Sequence, residues 1–188
     1  MMLAPLFASH TRWRPLIDSV LEGRCGLAEA DSLNDPRIAQ LTLGWFTFYG
    51  GDPAFDRTGA FARNATRPPF EGRWIEFTDP GWRDRMLATH GARHLKVDLT
   101  RFAMAGDGLD PSRLRSIAQR VPPGFRVRRL DAALAERVSR EIDPALTHAF
   151  PSIGDFLARG FGWCAIEEAT DRAASAATTY AVSARGCE

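Results

Sequence analysis

Apolar and polar positions change period several times along the chain, and each change marks an element. Within Trp13–Glu22, Leu16, Ile17, Val20 and Leu21 fall at i, i+1, i+4 and i+5, one face of a helix, with Gly23 placed to end it. Cys25–Ala30 then reads as a short strand. After the Asn34-Asp35-Pro36 turn, Arg37–Tyr49 is one long aromatic and β-branched run, the composition of a strand, closed by Gly50-Gly51-Asp52-Pro53. Residues 56–69 have no period and read as a loop. Trp74–Phe77 is a short strand. Thr78-Asp79-Pro80 starts a helix that runs to about Thr89 and stops near Gly91; Leu95–Ala103 gives another strand.

A second series of elements follows Gly106-Asp107-Gly108. Asp110-Pro111 opens a helix with Leu114, Ile117, Ala118 and Val121 on one face, ended by Pro122-Pro123-Gly124. Phe125–Leu130 alternates as a half-buried strand does. Asp131 caps a helix with apolar positions Leu134, Val138 and Ile142, and Asp143-Pro144 breaks it. Ser152-Ile153-Gly154-Asp155 has capping-box spacing before Phe156 and Leu157, and Gly160 ends that short helix. Gly162–Glu167 is a strand, residues 168–172 a turn, Ala173–Val182 a second strand, and Arg185-Gly186 a turn before Cys187-Glu188. The pattern predicts a mixed α/β protein of the α+β class. Residues 1–107 form an α+β region, and residues 108–188 a second region whose core runs β-α-α-β-β.

Composition narrows the function classes. Of 188 residues, 45% are hydrophobic and 25% charged, the balance of a globular protein, and a formal net charge of +1 argues against a nucleic-acid surface. No apolar run approaches the ~20 residues of a membrane span, and the N-terminus lacks the basic start of a secretion signal, so a cytoplasmic location is expected. Cys25, Cys164 and Cys187 lie far apart without a C-x-x-C, which suits small buried residues in a reducing compartment. Lys96 is the one lysine among 24 basic residues, a coding bias that suggests a GC-rich bacterial genome.

The β-α-α-β-β order, together with the wording of the residues, resembles the opening half of the GNAT (GCN5-related) N-acetyltransferase fold, in a bacterial family with an N-terminal α+β region. The matching pieces are Gly44-Trp45-Phe46 with Phe48-Tyr49-Gly50-Gly51-Asp52-Pro53, then Phe125–Asp131, and above all Phe150–Glu188, where F-x-S-x-x-D-F-L-x-R-G-x-G-x-C precedes a Ser/Thr-rich strand. The resemblance implies acetyl transfer from acetyl-CoA to a small-molecule or peptide amine. In that family the next strand ends in an R/Q-x-x-G-x-G/A loop that holds the coenzyme A pyrophosphate at a helix N-terminus. The sequence lacks this motif, and it stops where the fourth strand should begin. It is then either a fragment of a longer reading frame or a shortened natural protein that has lost its cofactor site and its activity. The alternative function is a non-catalytic interaction module or homodimer half, because an open sheet edge and an uncovered apolar face invite association.

Several residues are candidates for chemistry. The resemblance places Glu188 near the general base that takes a proton from the attacking amine, against a reading as a frayed terminal glutamate. It places Phe150, Ser152 and Phe156 beside the acceptor pocket, against a cap with core packing. Leu157–Gly162 has glycine spacing like a phosphate loop, but its glycines end a helix, where the dipole favours cations. His90 and His94 are spaced i, i+4 without a third ligand, so no metal is expected. His148 reads as a solvated loop histidine with a substrate contact as the alternative. Arg113, Arg115, Arg120, Arg126, Arg128 and Arg129 form a basic cluster that either meets acidic groups or is a solvated charged face.

Overall fold

The computed structural model describes residues 2–55, 57–65, 73–91, 108–147 and 149–187. The chain separates into two compact units. One comprises Met1–Asp98, Ala149–Pro151 and Tyr180–Glu188; the other comprises Leu99–His148 and Ser152–Thr179. The mixed α+β class read from the sequence is present in both. The expected strand Leu95–Ala103 lies outside the described residues.

The first unit is built on a four-stranded sheet in the order β1-β2-β3-β4, from Leu27–Ala30, Ile38–Leu43, Phe46–Gly51 and Trp74–Glu76. β1 and β3 run antiparallel to β2, and β4 runs parallel to β3. All six residues of β2 and the first five of β3 are buried, because both faces of these central strands are covered. Successive side chains point to opposite faces. Ile38 and Tyr49 pack with Trp82 and Met86 of α3 (Pro80–His90) and with Ala62 of α2 (Thr58–Asn64). Leu16, Ile17 and Val20 of α1 (Arg14–Leu21) and Phe7 are also buried in this unit. Trp13 lies 5.0 Å from Phe46 between ring centroids, within an aromatic group that includes His10 and Phe48.

Three sequence expectations change here. Arg37–Tyr49 is a hairpin of two strands, with Leu43 paired to Phe46 across Gly44-Trp45. Its apolar residues run through the turn without a break, which hides the turn from a reading by hydrophobicity; the signal is Gly44, at φ 52°. Residues 56–69, read as a loop, contain helix α2. Ala173–Val182, read as one strand, ends at Thr178; Val182–Ser183 (β8) pairs instead with Gly186–Cys187 (β9) in a separate two-stranded ladder.

That ladder belongs to the first unit. Tyr180 is its anchor: its hydroxyl accepts from the Trp45 amide at 2.7 Å and donates to the Leu43 carbonyl at 3.2 Å. A Cβ at position 44 would overlap that hydroxyl, so the contact needs glycine there as much as the positive φ does. Further along, Arg185 reaches Asp18 on α1 at 3.2 Å, and the Ala184 amide donates to Glu22 at 2.8 Å.

The second unit is a three-stranded antiparallel sheet, β5-β6-β7, from Phe125–Arg129, Gly162–Glu167 and Ala173–Thr178. Helices α5 (Ala132–Glu141) and α6 (Ile153–Arg159) lie between β5 and β6 in sequence, which is the β-α-α-β-β order read from the pattern. Asp131 caps α5 by accepting from the Leu134 amide at 2.8 Å. Leu134 and Val138 are buried as expected, with Cys164 and Ile166 of β6, whereas Ile142 at the end of α5 is exposed. The preceding helix α4 (Pro111–Ala118) forms with Asp110 as its cap, but its apolar positions Leu114 and Ile117, and Val121 beyond it, are exposed rather than packed. Amphipathic spacing specifies a face for burial but not the partner that buries it.

Removing the Tyr180 hydroxyl leaves the Trp45 amide and Leu43 carbonyl of the turn without their partner. Tyr180→Phe is therefore expected to destabilise the first unit by about 1–3 kcal/mol in urea unfolding. Gly44→Ala adds a φ penalty and a steric overlap and is expected to cost at least as much, about 2–4 kcal/mol.

Candidate functional site

Chemistry-bearing side chains of the second unit converge where α5 meets the β6–β7 turn. Arg137 of α5 donates through Nε to Glu141 at 3.4 Å and through Nη1 to Asp171 at 3.2 Å, and Nη2 reaches the Asp171 carbonyl. Arg126 of β5 holds the other carboxylate oxygen of Asp171. Glu141 also accepts from the Ala173 amide at 2.9 Å. The hydrogen bond from Arg126, with the nearby Arg137 charge, holds the Asp171 carboxyl below its ordinary range. The Ala173 amide, then Arg137, do the same for Glu141. The group thus ties one helix and two strands to a turn whose Asp171 sits at φ 55°, a conformation that Asp tolerates better than most residues.

The sequence reading missed this network. Arg126 belongs to the basic cluster noted above, but here it is paired, and Arg128 pairs with Asp131 at 3.1 Å. The available signal was the Thr170-Asp171-Arg172 turn itself, since a turn aspartate after a strand is a ready partner for arginines on neighbouring elements. All of these carboxylates are occupied by arginine or backbone partners, so the network reads as a structural tie. Near it, the Cys164 thiol is buried and its pKa raised by burial, which keeps it protonated and unreactive.

Ser152 and Phe156 share the first turns of α6. Ser152 Oγ accepts from the Asp155 amide at 3.1 Å as the helix cap, and its carbonyl accepts from the Phe156 amide at 2.9 Å. Asp155 pairs with Arg159 one turn on. Phe156 is fully buried. Phe150 is also buried, and it is counted with the first unit. Glu188, His94 and His148 lie outside the described residues. His90 Nε2 bonds the Ala62 carbonyl at 2.6 Å, and among the described residues no three His, Cys, Asp or Glu side chains gather as a metal site. Among the described residues, no helix is long and apolar enough to cross a membrane.

The glycine-spaced stretch 157–162 can be tested as a phosphate cradle. Such a cradle needs backbone N–H groups free at a helix N-terminus. Here the Gly160 amide donates to the Phe156 carbonyl at 2.7 Å and closes the C-terminus of α6. Gly162 lies inside β6, where a Cβ would stand 2.7 Å from a methyl carbon of Leu130 and 2.9 Å from the Ala177 carbonyl, so this glycine serves strand packing. The Gly160 amide is therefore not free for an anion, and the stretch 157–162 does not form a phosphate cradle.

Comparison with known proteins follows from this fold. The sequence model of a family described as GNAT acetyltransferase matches residues 4–188. The fold is similar to that of a GCN5-related N-acetyltransferase-like protein from Streptococcus suis 89/1591, with a TM-score of 0.73 and 24% identity over 97% of this chain and 70% of that one. A search of curated proteins finds no match.

Two stability measurements follow. Asp171→Asn is expected to lower the melting temperature at neutral pH while keeping the turn, because Asn also tolerates positive φ. The folded pKa of Asp171 lies below its ordinary 3.8, so its stabilisation is full above that value and is lost as pH falls through the lower folded pKa. The gap between wild type and variant is expected to close on acidification below about pH 4 in thermal unfolding monitored by circular dichroism. Separately, Ser152→Ala is expected to cost about 1 kcal/mol as a lost cap, and Phe156→Ala about 3–5 kcal/mol as a core cavity.

Proposed function

Because the chain belongs to the GNAT acetyltransferase family, we propose that its second unit is the acceptor-side scaffold of an N-acetyltransferase, the part that receives the amine to which acetyl-CoA would give its acetyl group. The observation that carries this reading is the β5-α5-α6-β6-β7 order, with a capped α6 leading directly into β6. Ser152 and Phe156 lie on the element before that strand, and Phe150 lies just ahead of them in sequence; these three residues are the candidates for lining an acceptor pocket. Glu188 is the candidate general base. As a base it would take a proton from the attacking ammonium or amine, directly or through a water molecule.

What these residues do in the structure sets limits on the mechanism. Ser152 spends its hydroxyl oxygen on the helix cap, and its remaining capacity is a single O–H donor and one lone pair. Phe156 is buried, so its contribution to an acceptor is to hold the wall behind the site, not to touch it edge-on. Acetyl-CoA would supply the activated acyl group, and the stretch 157–162 forms no cradle for its pyrophosphate. The reading is accordingly of an acetyltransferase-related protein, in a cytoplasmic setting, in which acceptor positioning and cofactor binding are separable.

Calorimetric titration with acetyl-CoA, paired with a thermal-shift panel of primary amines, amino acids and short peptides, tests this. The expected result is no saturable heat from acetyl-CoA at sub-millimolar concentration, and at least one amine that raises the melting temperature. Micromolar acetyl-CoA binding would overturn the cofactor part. A panel in which no amine stabilises the protein, or in which stabilisation survives Ser152→Ala and Phe150→Leu unchanged, would remove the acceptor assignment.

A further inference from the structure

The N-terminal segment of the first unit lies against β3. It holds two single-turn 3-10 helices, Ala4–Phe7 and Thr11–Trp13. Gly50 permits the close approach: a Cβ there would stand 2.6 Å from the Leu6 carbonyl oxygen and 2.8 Å from a ring carbon of Phe7. Ser9 shares a hydroxyl hydrogen bond with Thr78 at 2.5 Å, and Trp13 packs on Phe46. Between these two contacts His10 is turned inward and is 1% exposed. Its ring centroid lies 5.8 Å from that of Phe7 and 6.0 Å from that of Phe48, both fully buried.

The surroundings of the ring fix its protonation state. Nε2 lies 2.9 Å from the Tyr49 carbonyl, which only accepts, so Nε2 carries a proton. Nδ1 is buried without a hydrogen-bond partner. In this neutral tautomer Nδ1 is a lone pair. A second proton would put an N–H without an acceptor, and a whole charge, among aromatic rings. Among the described residues, the charged group acting on the ring is Arg14 of α1, which donates to the Phe7 carbonyl at 3.4 Å and pairs with Asp18 at 2.6 Å. Its guanidinium opposes a second positive charge. Arg12, on the same segment as His10, is exposed, and Glu76 of β4 stands beside Phe48 in the register. Tyr49 meets the ring through its carbonyl; its phenol packs on Trp82, on the opposite face of the sheet from Phe48. Burial lowers the His10 pKa from its ordinary 6.5, the Tyr49 hydrogen bond opposes that in part, and the Arg14 charge adds to it.

We propose that His10 is an acid-released latch: a proton on Nδ1 frees residues 4–13 from β3 and opens the aromatic cluster beneath them. The released segment takes that proton at the ordinary value of 6.5, and the seated segment only at a lower one. The seated form is therefore at full strength above pH 6.5 and weakens as pH falls through the window between the two values. None of the latch residues is a candidate for the acceptor pocket, so the proposal is independent of that reading.

Hydrogen–deuterium exchange of the full 188-residue protein at about pH 8 and about pH 5, corrected for intrinsic exchange rates, tests the latch. The amides of Leu6, Ala8, His10 and Thr11, which are hydrogen-bonded within the segment, are expected to open about tenfold or more readily at the lower pH. The amides of α5, in the second unit, serve as the control and are expected to show no such change. His10→Gln keeps an N–H for the Tyr49 carbonyl and cannot take a second proton, so its segment is expected to open equally at both pH values. The ring's own titration, read by nuclear magnetic resonance on the wild type, needs no variant and is expected to have its midpoint below 6.5. Equal opening of the wild-type segment at both pH values would overturn the proposal. So would a ring midpoint at or above 6.5, or a pH effect that persists in His10→Gln.

Discussion

The first unit depends on one glycine. Gly44 turns β2 into β3, and at that turn the Leu43 carbonyl and Trp45 amide face a third element. Tyr180 supplies it, with one hydroxyl acting as acceptor to the amide and donor to the carbonyl across 135 residues of sequence. Any side chain at position 44 would occupy the space of that hydroxyl. Once Tyr180 is fixed, the following residues are delivered to α1, where Arg185 adds a second cation to the Asp18 already paired with Arg14. Asp18 is nearly buried, and burying a carboxylate is costly unless it is paired as here. The β8–β9 ladder is thus held at both ends of its approach by polar contacts that a hydrophobic pattern cannot reveal.

The second unit solves a similar problem with charge. Among its described residues it has a three-stranded sheet and the helices α4, α5 and α6, and α4 leaves its apolar positions exposed. Arg137 compensates by joining the C-terminal part of α5 to the β6–β7 turn through Asp171, while Glu141 takes the first amide of β7. These are exposed ion pairs, individually weak, but they share arginines and backbone groups, and a network of that kind loses less side-chain entropy per contact than separate pairs do.

Local chemistry was the legible part of the sequence. Asp79, Asp110, Asp131 and Ser152 were each readable as helix caps, and each accepts the expected backbone amide. The β-α-α-β-β order was readable because strand alternation and helix spacing switch cleanly there. Elements whose signal depends on contact were not readable. The hairpin at Gly44 was hidden inside a continuous apolar run, α2 lacked a capping residue and an amphipathic stripe, and β7 ends at Thr178 although the apolar and Ser/Thr composition continues beyond it. On the site itself, sequence could nominate Ser152 and Phe156 both for an acceptor pocket and as a cap with core packing, and the structure shows the cap and the full enclosure.

The glycines of 157–162 show why spacing alone is a poor guide to anion binding. A phosphate loop and a helix C-terminus can carry the same glycines, because both need backbone freedom, yet they point opposite ends of a dipole at the solvent. The deciding quantity is where each amide hydrogen goes. At Gly160 it goes to the Phe156 carbonyl, inside the protein's own helix end, and at Gly162 the missing side chain makes room for Leu130. Both glycines are therefore explained by the join between α6 and β6. That join sets the capped α6 directly before the strand that carries Trp163, with only Gly160 and Phe161 between them.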